Sequence, residues 1–119
     1  MTTKEFIDNI QNFKVDVKKV SFIEKMYGAD LPEVVKLIIS NCDATIFIDN
    51  DIRVLSFPEI TEAEKDLHVD FKSKNIIPIF DCGNNDFIVY NYKRNKWSKF
   101  NIIDEVLFKI KDRLEDLLK

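Results

Sequence analysis

The chain has 119 residues, 45% of them hydrophobic and 12% aromatic, enough for one domain over 1–119 that builds its core without disulfide staples. A net charge of -3 at pH 7 argues against a sequence-independent nucleic-acid binder, which needs Lys and Arg to neutralise phosphates, and suits a basic protein partner such as a nuclease domain. With only 2 glycines a phosphate-cradling loop is almost excluded, and with 3 prolines besides, disordered linkers and many-turned sandwiches are disfavoured.

Thr2 and Glu5 read as a capping box, and Phe6, Ile7, Ile10 and Phe13 follow at helical spacing, which predicts a short first helix. A second helix is predicted over 17–27, with Val17, Val20, Ile23 (or Phe22) and Tyr27 inward. Gly28 stops it, because glycine takes the left-handed conformation that a helix end needs. Asp30 or Leu31 is expected to cap a third helix, with Pro32 and Glu33 in its first turn. Val34, Val35, Leu37, Ile38 and Ile39 spread over more than one face of that helix, so much of its circumference should be buried. Residues 44–49 and 52–57 alternate as a β-hairpin around Asn50 and Asp51, with Pro58 ending its second strand.

Thr61 and Glu64 read as another capping box, so a peripheral helix is expected over 61–71. A strand over 76–80 follows, where Pro78 implies a sheet edge or a bulge. The turn is expected at 81–85, strands at 86–92 and 96–100, and a turn at 93–96 between them. Ile103, Val106, Leu107, Ile110, Leu114, Leu117 and Leu118 make an apolar stripe at helical spacing, with Asp104 and Glu105 near its start and Lys119 at its end. This predicts a final helix over 103–118. The order gives an α+β fold: a mostly antiparallel sheet of four to six strands packed with N-terminal helices and a C-terminal helix.

Few residues point to chemistry. Asp81 and Asp86 flank a turn with Gly83, Asn84 and Asn85, but no glutamate closes a 12-residue calcium loop, and turn chemistry alone accounts for the composition. Asp49 and Asp51 bracket the other hairpin turn in the same way. His68 is the only histidine; Asp66 and Asp70 stand two residues away, where helix side chains do not face each other, so it reads as a surface residue. Lys93, Arg94, Lys96 and Lys99 cluster around Trp97 near Tyr90 and Tyr92, a patch that would suit single-stranded nucleic acid, but four cations on an acidic chain read better as a solvated turn. Cys42 and Cys82 form no C-x-x-C pair and read as free thiols of a reducing compartment. No metal or cofactor is expected. The opening residues are polar and no apolar run is long enough to span a membrane, so a cytoplasmic location is expected.

Two stretches carry a resemblance. The first runs from Ile23 and Glu24 through Gly28-Ala29-Asp30-Leu31-Pro32 into the Val34 to Ile39 helix; the second is Ile77-Pro78-Ile79 followed by Gly83, Asn84, Asp86 and Phe87. In order and wording they resemble the SUKH superfamily of bacterial toxin-immunity proteins and relatives of fungal cell-wall synthesis regulators. The likeness covers about residues 15 to 118. Asn41-Cys42 stands where the family often has Asn-Gly, and Asn91 where it has a strand-end acid. Glu24, Gly28, Leu31, Pro32, Ile77, Pro78, Gly83, Asp86 and Phe87 are the matching motif positions.

The resemblance implies a non-enzymatic cytoplasmic immunity protein that binds and occludes a toxin domain, or else an adaptor that binds an endogenous protein in cell-wall regulation. It implies a protein partner, with neither nucleic acid nor membrane, and leaves the oligomeric state open between a monomer and a weak dimer. Interfaces use charge matching to speed encounter, so Asp49, Asp51, Asp81 and Asp86, all near strand turns, are the candidate partner-binding set, provided those turns share one end of the sheet.

Overall fold

Helix α1 (Thr3–Ile10) begins at the expected capping box, with Glu5 N–H donating to Thr2 Oγ1 and Thr2 N–H to the Glu5 carboxylate. The computed structural model describes residues 1–118, the side chain of Asn50 excepted. Helix α2 (Val17–Tyr27) is capped by Asp16 and ends at Gly28, whose φ of 64° is the left-handed cap that glycine tolerates best. Helix α3 (Glu33–Ser40) follows with Pro32, rather than Asp30 or Leu31, at its cap position.

The first hairpin is shorter than expected, with β1 (Phe47–Ile48) and β2 (Ile52–Val54) joined by a 3-10 turn at Asp49–Asp51. Pro58 does not simply end a strand. It sits in the first turn of α4 (Phe57–Thr61), whose capping box is formed by Ser56 and Glu59. The helix expected over 61–71 reduces to α5 (Ala63–Leu67). Its supposed capping pair is used elsewhere: Thr61 Oγ1 donates to the Pro58 carbonyl at 3.0 Å, and Glu64 accepts from Lys72 N–H at 3.0 Å.

Strands β3 (Ile76–Gly83), β4 (Asp86–Asn91), β5 (Lys96–Asn101) and β6 (Val106–Lys111) complete a six-stranded antiparallel sheet in the order β1-β2-β3-β4-β5-β6. Pro78 lies next to a bulge, and past the stretch of β3 that β2 pairs with, which covers only Phe80 and Asp81. The turn between β3 and β4 needs only Asn84 and Asn85, both at positive φ (53° and 66°), the conformation of a two-residue hairpin turn.

Residues paired across strands share a face, and neighbours along a strand alternate. Phe80 pairs with Ile88, and Phe87 with Phe100, so these pairs lie on opposite faces. Phe6 of α1 meets Phe80 edge to face at 5.8 Å, and Phe71, ahead of β3, meets Phe100 at 5.9 Å. Both faces are therefore covered. That is why Ile76 to Phe80 and Phe87 to Tyr90 are continuous apolar runs, buried throughout, instead of alternating ones.

The helix expected over 103–118 is not formed. The segment makes a turn, then β6, and only α6 (Glu115–Leu118) is helical; Lys119 lies outside the described residues. The apolar positions fit a period of 3.6, but Val106, Phe108 and Ile110 also fit a period of 2. Ile103, Val106 and Ile110 are 69%, 52% and 49% exposed, whereas a core-facing helix would have buried them. Leu114, Leu117 and Leu118 do enter the core, and the Leu118 carbonyl accepts from Thr3 Oγ1 at 2.9 Å, tying α6 to α1. No helix of the described residues is long and apolar enough to cross a membrane.

Candidate partner-binding surface

Strand order decides at which end the acidic turns lie, and register decides how they line up. Arg53 pairs with Asp81, Gly83 with Asp86, and Asp86 with Asn101, which itself pairs with Val106. The β1–β2, β3–β4 and β5–β6 turns therefore project from the same end of the sheet. At about 4.8 Å per strand, the row of tips from β1–β2 to β5–β6 spans about 19 Å.

Of the four expected residues, Asp49, Asp51 and Asp86 belong to this end and Asp81 does not project there. The Asp49 carboxylate accepts the Thr3 N–H at 2.9 Å and fastens the start of α1 to the first turn. Asp51 is exposed, holds a φ of 60°, and makes no side-chain hydrogen bond or ion pair among the described residues. Asp86 accepts from Asn101 Nδ2 at 2.9 Å, bridging β4 and β5. Asp104 and Glu105, in the third turn, join the row although they read from the sequence as the start of a helix. Glu105 pairs with Lys74 at 3.2 Å, and Asp104 is exposed. Lys99 and Lys109 approach Cys82 beside the middle tip, so the row carries cations on one flank. Burial holds the Cys82 thiol protonated, up at about 11, and raises the Cys42 thiol too, so neither is primed as a nucleophile.

Asp81 instead completes a charge cluster on the sheet face that α4 and α5 cover. The Arg53 guanidinium donates to both Glu59 carboxylate oxygens, at 2.7 and 2.9 Å, and to Asp81 at 3.3 Å. Glu59 also accepts from Ser56 N–H, so one carboxylate caps α4 and binds β2. The hydrogen bond from Arg53 is the main cause that pulls the Glu59 carboxyl down to about 2. Asp81 spends its other oxygen on Gly83 N–H at 2.8 Å. The cluster is a structural clamp joining β2, β3 and α4.

The motif residues of the front junction also have defined work. Glu24 accepts the N–H of Leu31 at 2.9 Å, Ala29 N–H returns to the Glu24 carbonyl at 3.1 Å, and Leu31 is buried. Asn91 Oδ1 accepts from Lys93 and Arg94 N–H at 3.0 and 3.1 Å, a task that needs a side-chain oxygen and no charge. Trp97 and Tyr90 are buried with ring centroids 5.1 Å apart, so the basic turn beside them presents neither ring for base stacking. His68 is exposed at the end of α5, and among the described residues no group of three or more His, Cys, Asp or Glu side chains is placed to hold a metal ion.

One feature was missed by the sequence reading. Phe22 of α2, 52% exposed, stands edge to face on Phe57 of α4 at 5.7 Å, with Lys19 Nζ 5.8 Å from the Phe57 ring centre. With Cys42 and Pro58 they line an open groove. The sequence carries the signal: helical spacing admits either Ile23 or Phe22 inward, and with Ile23 in the core Phe22 is left exposed.

No family model matches this chain, and comparison with curated proteins and with solved structures gives no match either.

Proposed function

We propose that this chain is a SUKH-type immunity protein, which binds a toxin domain through the acidic end of its sheet and blocks it by non-covalent occlusion, in the cytoplasm and without turnover. The observation that carries the reading is the row of turn carboxylates, Asp49, Asp51, Asp86 and Asp104, on adjacent hairpin tips. A row about 19 Å long fits within one side of a standard protein interface, about 800 Å² or roughly 30 Å across. Charge on such a surface steers a basic partner, a nuclease domain being the clearest case, and raises its association rate. The Glu24, Gly28, Leu31 and Pro32 joint supports the reading in a second way, because the residues that carry the resemblance perform one physical task together.

The test begins with the genes that flank this one, from which any secreted protein with a separate C-terminal toxin domain supplies the partner. Co-expression should protect the cell, and calorimetry at low and high salt should show affinity falling as salt rises. Asp51→Lys with Asp104→Lys should weaken binding at least tenfold, while Asp81→Asn should alter stability more than affinity. Affinity that survives reversal of Asp49, Asp51, Asp86 and Asp104 alike would remove the acidic end from the interface. A housekeeping partner, with a growth defect on deletion, would assign the chain to the adaptor branch instead.

A further inference from the structure

The sheet ends on β6, a six-residue edge strand with no buried residue, whereas its other edge, β1, has two residues. Unpaired edge strands offer backbone N–H and C=O groups to another chain. Three exposed large hydrophobic residues gather here: Ile103, Val106 and Ile110. Val106 and Phe108 pair with Asn101 and Lys99 and so share the face opposite Leu107, which pairs with Phe100 over the core. That corner of the sheet is left open, since Val106 is exposed and Phe108 and Lys99 are only half-buried.

The strand is also polar along its length. Asp104 and Glu105 precede it, and Lys109 and Lys111 close it. Two copies laid parallel set like charges together, but two copies laid antiparallel set acid against base. Turned about Leu107, Val106 of one copy meets Phe108 of the other, and Glu105 meets Lys109. Glu105 also reaches Lys74 in its own chain at 3.2 Å, and a carboxylate accepts from both. The bulge at Lys109 and Ile110, where Lys109 has a φ of 52°, confines regular pairing to the stretch before it. Lysines and bulges guard edges against open-ended growth. Here they leave the two-fold antiparallel arrangement, which closes as a dimer.

We propose that two copies of this chain associate through antiparallel pairing of their β6 edges, making one sheet continuous across a two-fold axis. The contact is small, so the dimer forms in the micromolar range or weaker. Sedimentation equilibrium of the full chain from ~1 μM to ~1 mM should show a reversible dimer. Val106→Lys, at an exposed position, should raise the dissociation constant at least tenfold with an unchanged unfolding midpoint. Asp104→Lys with Glu105→Lys makes a wholly basic strand, and Lys109→Glu with Lys111→Glu a wholly acidic one. Each variant alone should be monomeric, and their mixture should form a heterodimer. A wild-type monomer across the whole range overturns the proposal, and so does a dimer indifferent to Val106→Lys or a mixture that stays monomeric.

Discussion

The carboxylate of Glu24 accepts the backbone N–H of Leu31, seven residues on, at 2.9 Å. Gly28 turns the chain out of α2, and Leu31 brings it back into the core, so this N–H lies between two helices where neither supplies a carbonyl. Glu24→Ala should cost about 1–3 kcal/mol, the penalty for a part-buried donor left unpaired. Glu24→Gln keeps an acceptor and should fall between the two. Urea unfolding of the three proteins checks the order, and an alanine variant as stable as wild type would show that the bond does not hold the joint.

The joint also depends on a backbone conformation. At Gly28, φ is 64° and a Cβ would meet nothing within 4 Å, so any cost of substitution is conformational and not steric. Gly28→Ala should destabilise by about 1 kcal/mol, and Gly28→Asn by less, because asparagine tolerates the left-handed region better. Equal unfolding midpoints for the alanine and asparagine variants would contradict this.

The Arg53 clamp contributes to the acid limb of stability. Glu59 has its carboxyl depressed from the ordinary 4.5 to about 2, so its contribution is complete above about 4.5 and is lost as pH falls from there towards 2. Arg53 and Glu59 side chains are 23% and 37% exposed, and solvent screening keeps the contribution small, on the order of 1 kcal/mol. Glu59→Gln should lower stability at pH 7 and flatten its fall between pH 4.5 and 2. Parallel curves for wild type and variant would show that another carboxylate carries the acid limb.

Lys109 offers a sign test of the C-terminal strand. Its φ is 52°, a conformation glycine adopts freely and lysine does not. Lys109→Gly should therefore be neutral or stabilising by up to about 1 kcal/mol. In a helix over the same residues that substitution would cost about 1 kcal/mol. Chemical denaturation of the variant reads the sign directly.

The two four-residue loops flanking β5 show why the sequence suggests a helix where β6 forms. After β4, Asn91 Oδ1 takes two backbone N–H groups and Asn95 turns at a φ of 56°; after β5, Asn101 Oδ1 takes those of Ile103 and Asp104 at 3.0 Å and Glu105 turns at 53°. The loops are the same device ten residues apart. The first was legible because Lys93, Arg94 and Asn95 are turn-like residues. The second was hidden because Ile103 fits the apolar stripe of a helix, and because glutamate rarely announces a left-handed turn.

The sequence by itself determined what rests on neighbours within a few residues: the Thr2–Glu5 box, the Gly28 stop, helices α2 and α3, a turn within 81–85, which the structure narrows to Asn84 and Asn85, and the α+β order of elements. Caps and turns are closed by local hydrogen bonds, so local residues specify them. Tertiary structure decided the rest. Residues 106–111 suit a helix or a strand by pattern alone, and pairing with β5 chose the strand. Asp81 and Asp86 look equivalent in sequence, but Arg53, 28 residues before Asp81, draws that one into a clamp while the other stays at the acidic end. Which turns share an end of the sheet is likewise a matter of strand order, since alternate turns of a sequential antiparallel sheet lie at one end, and that order is set by side chains far apart in the chain that must be buried together.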